Sequence, residues 1–126
     1  MIATRVIVCG CRDFDDKVFC FSQRDSILSG YSDPEIVSGH ADGADQYGEE
    51  YANAQGLKLS IFPAEWSRFG RAAGPIRNRK MLEYALEETP LIIAFWNGKS
   101  RGTKNMIMQA QKAGAEVRIV NILHHV

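Results

Sequence analysis

The stretch IVSGHADGAD, residues 36–45, decides how the rest of the chain is read. An apolar run ends at Ser38. Two glycines, two aspartates and a histidine follow, and a helical pattern opens at Ala44, with Tyr47, Tyr51 and Ala54 at helical spacing. This is a strand, a sharp turn and a helix. Gly39 and Gly43 carry no Cβ, so backbone there can approach another group closely. The first N–H groups of a helix have no partner within it and carry positive partial charge. Asp42 followed by Asp45 resembles a capping pair at that positive end. Two readings stand open at this point: a turn whose glycines serve only its dihedrals, or a backbone cradle for phosphate.

The same pattern repeats outward in both directions. Val6–Cys9, Glu35–Ser38, Leu57–Phe62, Leu91–Trp96 and Val117–Leu123 are short runs rich in Val and Ile that do not alternate cleanly with polar residues. Strands buried on both faces of a parallel sheet read this way. Between them, Lys17–Ser29, Ala44–Gln55, Pro75–Glu88 and Thr103–Ala113 have helical spacing. Gly56 and Gly114 follow helices where a left-handed C′ residue fits, and Pro75 suits a first helical position. The longest stretch without a period is Pro63–Gly74, which holds Trp66, Arg68, Phe69 and Arg71; so long a loop in a small domain is often functional. Strand–helix alternation four times over, ending on a strand, implies an α/β fold. It is a single three-layer sandwich over residues 1–126, with a five-stranded, mainly parallel sheet. Right-handed crossovers make 3-2-1-4-5 the simplest strand order, with a ligand expected outside the carboxyl ends of the strands where the winding reverses.

The totals exclude several roles. Fifteen basic residues balance fifteen acidic ones, which counts against a protein that coats nucleic acid. No apolar run approaches the ~18 residues that cross a bilayer, so no membrane role is expected. Three cysteines, at 9, 11 and 20, and no secretory leader suggest reduced thiols and a cytoplasmic location. Cys9 and Cys11 read as small buried thiols at a strand end. His40, His124 and His125 are not at zinc-finger spacing, so no metal and no cofactor are expected.

Polar and glycine-rich segments gather at one edge of the sheet. Gly10, Arg12 and Asp13 end the first strand. Ser38, Gly39, His40, Asp42 and Gly43 end the second. Asn97, Gly98, Ser100, Gly102, Thr103 and Lys104 follow the fourth, with Lys99 and Arg101 among them. Loops at the opposite edge are plain. Two glycine-rich loops at one edge favour the phosphate reading, although neither a Walker loop nor a G-x-G-x-x-G occurs. The third helix opens with Arg77, Asn78, Arg79 and Lys80, cations that the helix dipole disfavours there, so Arg77 and Arg79 are expected to face an anion. Lys80 reads as solvated. Asp45 is placed to bond a ribose hydroxyl or a base edge, Trp66 and Phe69 either to stack on a base or to fill a subunit contact, and Glu65 to act as an acid or base if its loop folds over the site.

Val8–Phe14, Val37–Asp45, Phe62–Trp66, Ala73–Met81, Ala94–Gly98 and Gly102-Thr103 together resemble the YspA-like branch of the SLOG superfamily. That superfamily includes the Lonely guy phosphoribohydrolases and the Rossmann-like core of DprA. The resemblance implies a Rossmann-like fold, a pocket for a nucleotide or an ADP-ribose-like derivative, and self-association. Its members occur in bacteria and phages. Lonely guy enzymes cut an N-glycosidic bond with an arginine, to which the Arg79-Lys80-Met81 segment is similar, and a glutamate after a P-G-G-x-G-T motif. Here Lys104, Asn105 and Met106 follow Gly102-Thr103, and no carboxylate stands there. Three functions are therefore expected in order: a nucleotide-binding sensor or sequestering protein, a nucleotide N-glycosidase using Arg79 with Asp45, Asp13 or Glu65, and a DprA-like single-stranded DNA module. Trp66, Phe69 and Ile122–Val126 are candidate contacts of a homo-oligomer.

Overall fold

A computed structural model of the chain describes residues 4–10, 16–31, 33–41 and 43–122. Arg12, Asp13 and Asp42 lie outside the described residues, as do Cys11 and most of the expected C-terminal contact. Five strands form one sheet: β1 (Thr4–Gly10), β2 (Glu35–Ser38), β3 (Leu59–Ile61), β4 (Thr89–Trp96) and β5 (Glu116–Asn121). Their order is β3-β2-β1-β4-β5, and every pairing is parallel. The expected order holds.

The uniform apolar strands now have their reason. Val6 and Val8 of β1 face one core, while Ile7 and Cys9 face the other. In β4, Leu91, Ile93 and Phe95 join the first core, and Ile92 and Ala94 the second. With helices on both faces, neither set of side chains can be polar. The first core is closed by α1 (Lys17–Leu28) and α2 (Ala44–Gln55), through Cys20, Leu28, Tyr51 and Ala52. The second is closed by α4 (Ala73–Leu86) and α5 (Arg101–Lys112), through Met81, Leu82, Met106 and Ile107.

Three local expectations change. The Pro63–Gly74 stretch is not all loop: it contains a one-turn helix, α3 (Trp66–Phe69), and a 3-10 turn (Gly70–Ala72) running into α4. Four residues are too few to show a helical period. Pro75 is the third residue of α4 rather than the first, where its missing N–H still costs no intrahelical bond. The N-cap of α2 is Gly43, with φ 75° and no side-chain cap, and Asp45 is turned elsewhere. Gly56 and Gly114 do adopt left-handed conformations, at φ 66° and 79°.

Candidate functional site

β1 and β4 lie side by side, yet their following helices leave on opposite faces of the sheet. The crevice between them is a cleft of ≈ 690 Å³. Of the expected residues it gathers Gly10, Asp45, Trp66, Arg77, Asn78, Asn97, Ser100, Gly102 and Thr103. It also takes in Cys9, Ala41, Arg71, Gly74, Met81, Arg101 and Asn105. Arg71, Arg77 and Arg101 come from the 3-10 turn, α4 and α5. Among the described residues Asp45 is the one carboxylate in the lining, so the cleft favours an anion.

In the β2–α2 turn the two amides ahead of Asp42 are already bonded within the turn. His40 N–H donates to Ser38 Oγ at 3.1 Å, and Ala41 N–H to Asp45 Oδ2 at 3.4 Å. These amides serve the loop itself. Gly39 is needed for close approach, but what approaches is Arg77: a Cβ there would fall 2.7 Å from Arg77 Cζ and 2.9 Å from Asp45 Oδ2. The Arg77 guanidinium donates to the Gly39 carbonyl at 2.5 Å and to Asn78 Oδ1 at 3.1 Å. Gly10 is equally constrained, since a Cβ would lie 2.6 Å from Ala44 Cβ and 2.7 Å from the Phe95 carbonyl oxygen. It brings α2 down onto β1 and β4.

Asp45 is 4% exposed. Burial pushes its carboxyl up to about 7, against the pull of Arg77, the Ala41 N–H and Arg24, and with a push from Glu49. Arg24 lies wholly inside the first core. It donates to the Ala44 carbonyl at 2.9 Å and faces the Phe95 ring at 5.3 Å, placing a cation beneath the start of α2.

The start of α5 also faces the cleft. Asn97 Oδ1 accepts from Lys99 N and Ser100 N at 2.8 and 2.9 Å, shaping the turn after β4. Ser100 caps the helix, accepting from Thr103 N. The first-turn N–H groups of Arg101 and Gly102 then point out of the helix, and Gly102 adds no side chain in front of them. Asn78, 4% exposed, donates to the Gly102 carbonyl at 3.2 Å and to Asn105 Oδ1 at 3.1 Å. Gln109 also donates to Asn105 Oδ1, at 2.7 Å. Asn105 is held as an amide by two donors. Across the cleft Trp66 is half-exposed, over Gly74, where a Cβ would lie 3.4 Å from Cη2.

Other expected residues are placed elsewhere. Arg79 is 77% exposed, pairs with Glu83 at 3.0 Å and does not line the cleft. Glu65 pairs with Arg68 at 3.6 Å and lines a small depression with Phe69 and Lys80. Ser38 is buried, with its hydroxyl on the Asp45 carbonyl and Glu49. Gly43, Gly98 and Lys104 shape or flank the two loops without lining the cleft. Gly39 and His40 line a second chamber of ≈ 320 Å³, which shares Ala41, Trp66 and Arg77 with the cleft. Helical spacing alone does not separate Arg77 from Arg79, since the buried Met81 is four residues from one and the buried Leu82 three from the other; the packing of α4 does.

A sequence model of the YAcAr family, the YspA, cpYpsA-related SLOG family, matches residues 4–69, from β1 through α3. The chain belongs to this family. Gene 61 protein of Mycobacterium phage D29 is 29% identical over 119 residues, covering 90% of this chain and 93% of that protein. The X-ray structure of DNA processing protein A (DprA) from Streptococcus pneumoniae aligns with a TM-score of 0.70 at 19% identity. That alignment covers 98% of this chain and 52% of the DprA chain, so this SLOG domain spans about half of its structural neighbour. The likeness is one of fold. Among the described residues no helix is long and apolar enough to cross a membrane, and no group of three or more His, Cys, Asp or Glu side chains is placed to hold a metal ion.

Proposed function

We propose that the protein binds a nucleoside phosphate in the cleft, as a sensor or sequestering protein. One observation carries this reading: Arg71, Arg77 and Arg101, from three separate elements, converge with the Trp66 ring on one concavity at the winding reversal. Its volume lies within the range of small-molecule sites. The phosphates sit on the first turn of α5, between Arg101 and Arg77, and the base lies toward Trp66. Asn78 and Asn97 hold the two walls in register. Titration calorimetry with nucleoside mono- and diphosphates tests this. Binding lost in Arg101→Ala, with an unchanged circular dichroism spectrum, supports it; no heat from any nucleotide rejects it.

Two further readings rest on specific observations. Asp45 supplies a carboxylate to the cleft, so N-glycosidic cleavage would rest on it rather than on Arg79 or Glu65. Release of free base from a nucleoside monophosphate, abolished by Asp45→Asn, would establish that activity. The fold neighbour is a DNA-processing protein, which favours single-stranded DNA along the same arginines. The balanced total charge weighs against it, and binding that weakens steeply with salt would restore it.

A further inference from the structure

Ala41, Trp66 and Arg77 line both the cleft and the second chamber, so an anion held by Arg77 stands at their common wall. Gly39, Pro63 and Ala64 complete the chamber with His40. Among the described residues His40 is the one nucleophile in that lining, and Arg77 the one cation. A nucleophile and a cation on one small concavity are the parts that a group transfer needs.

His40 is held in place at a cost. Its backbone sits at φ 60°, a conformation unfavourable for a residue with a side chain. Two contacts keep it there: His40 N–H on Ser38 Oγ, and ring Nδ1 against Glu49 at 2.9 and 3.1 Å. Glu49 is itself fixed by the Ser38 hydroxyl at 2.8 Å, and its side chain is largely buried. The imidazole is exposed, so this anchoring gains no core burial. What it does fix is the ring's chemistry. A carboxylate only accepts, so Nδ1 carries the proton and Nε2 of the neutral ring keeps its lone pair. The same carboxylate steadies the positive charge that the ring gains once Nε2 forms a bond.

We propose that His40 is a phosphoryl acceptor: Nε2 takes the terminal phosphoryl group of a nucleoside di- or triphosphate and passes it to water. The proposal rests on the nucleotide reading of the cleft. Nε2 gives its lone pair to the terminal phosphorus. The bond from that phosphorus to the bridging oxygen breaks, and its electron pair leaves on the shortened nucleotide, whose phosphate oxygen needs no proton. Arg77 neutralises the group in passage. Water then attacks the same phosphorus, the N–P bond breaks and its pair returns to Nε2. The oxygen and protons of the water end on inorganic phosphate. Glu49 touches no reacting atom and is a positioning residue. The test incubates the protein with ADP radiolabelled in its β-phosphate and ATP in its γ-phosphate, with calorimetry of the same nucleotides beside it. Protein-bound label that survives alkali, is lost in acid and maps to His40 is expected, together with release of inorganic phosphate. His40→Gly keeps the backbone conformation, takes no label, and regains phosphate release when free imidazole is added. Glu49→Gln slows labelling about tenfold with nucleotide affinity unchanged, the mark of a group that acts only in the transfer. A nucleotide that binds with neither label nor phosphate release, label on another residue, or release indifferent to His40→Gly overturns the proposal and leaves the nucleotide reading standing. If no nucleotide binds at all, both fall.

Discussion

Replacing Asp45 with Asn probes the cleft floor through stability alone. The carboxyl titrates near 7 in the folded chain against an ordinary 3.8. Between those values the folded state holds a proton that the unfolded state has lost, so stability falls as pH rises from about 4 to 7 and stays lowered above. At about 1.4 kcal/mol for each tenfold change in proton affinity, the full cost of the buried charge is at most about 4 kcal/mol. Asn keeps an oxygen for the Ala41 N–H and cannot ionise. Urea unfolding of both proteins at pH 4.5, 5.5, 6.5 and 7.5 cancels every other titrating group in the difference. The Asn variant should gain on the parent steadily across that range, by more than about 2 kcal/mol in all. Two curves that stay parallel would show that Asp45 is ionised throughout, paired with Arg77, and that the account of its burial is mistaken.

Gly39→Ala drives a Cβ into Arg77 and Asp45, and should cost about 1–3 kcal/mol in denaturant unfolding while lowering nucleotide affinity. Gly10→Ala meets the Phe95 backbone and Ala44 instead, neither of which can rotate away; its loss of stability should match or exceed that of Gly39→Ala in the same assay. Burial pushes the Cys20 thiol up to about 11, so a disulfide reagent at pH 8 should leave it unmodified until denaturant is added, as peptide mapping would read.

The architecture was legible because Val6–Cys9 of β1 and Leu91–Phe95 of β4 must be apolar on both faces to serve two cores, a pattern that antiparallel strands with one wet face do not produce. That the glycine loops neighbour one cleft was legible for a similar reason: they share one sheet edge, and strand order places two of them beside the reversal. What failed was the assignment of atoms within them. Gly39 looks the same whether a phosphate or an arginine comes near it, and only the packing of α4 shows that Arg77 does. The bonds from the His40 and Ala41 amides were not legible either, because their acceptors, Ser38 Oγ and Asp45 Oδ2, lie in the same short motif and could as well have pointed outward. Arg71 was legible only as part of a long loop, because α3 and the 3-10 turn are too short to leave a periodic trace.

The bond from Arg77 to the Gly39 carbonyl joins residues 38 positions apart, one on a helix covering one side of the sheet and the other in a turn leading to the helix on the reverse side. A molecule lodged against that bond would touch both coverings at once. Its effect would be that of a rivet: amide exchange should slow together in α2, α4 and α5, rather than in one of them, whenever the molecule is present.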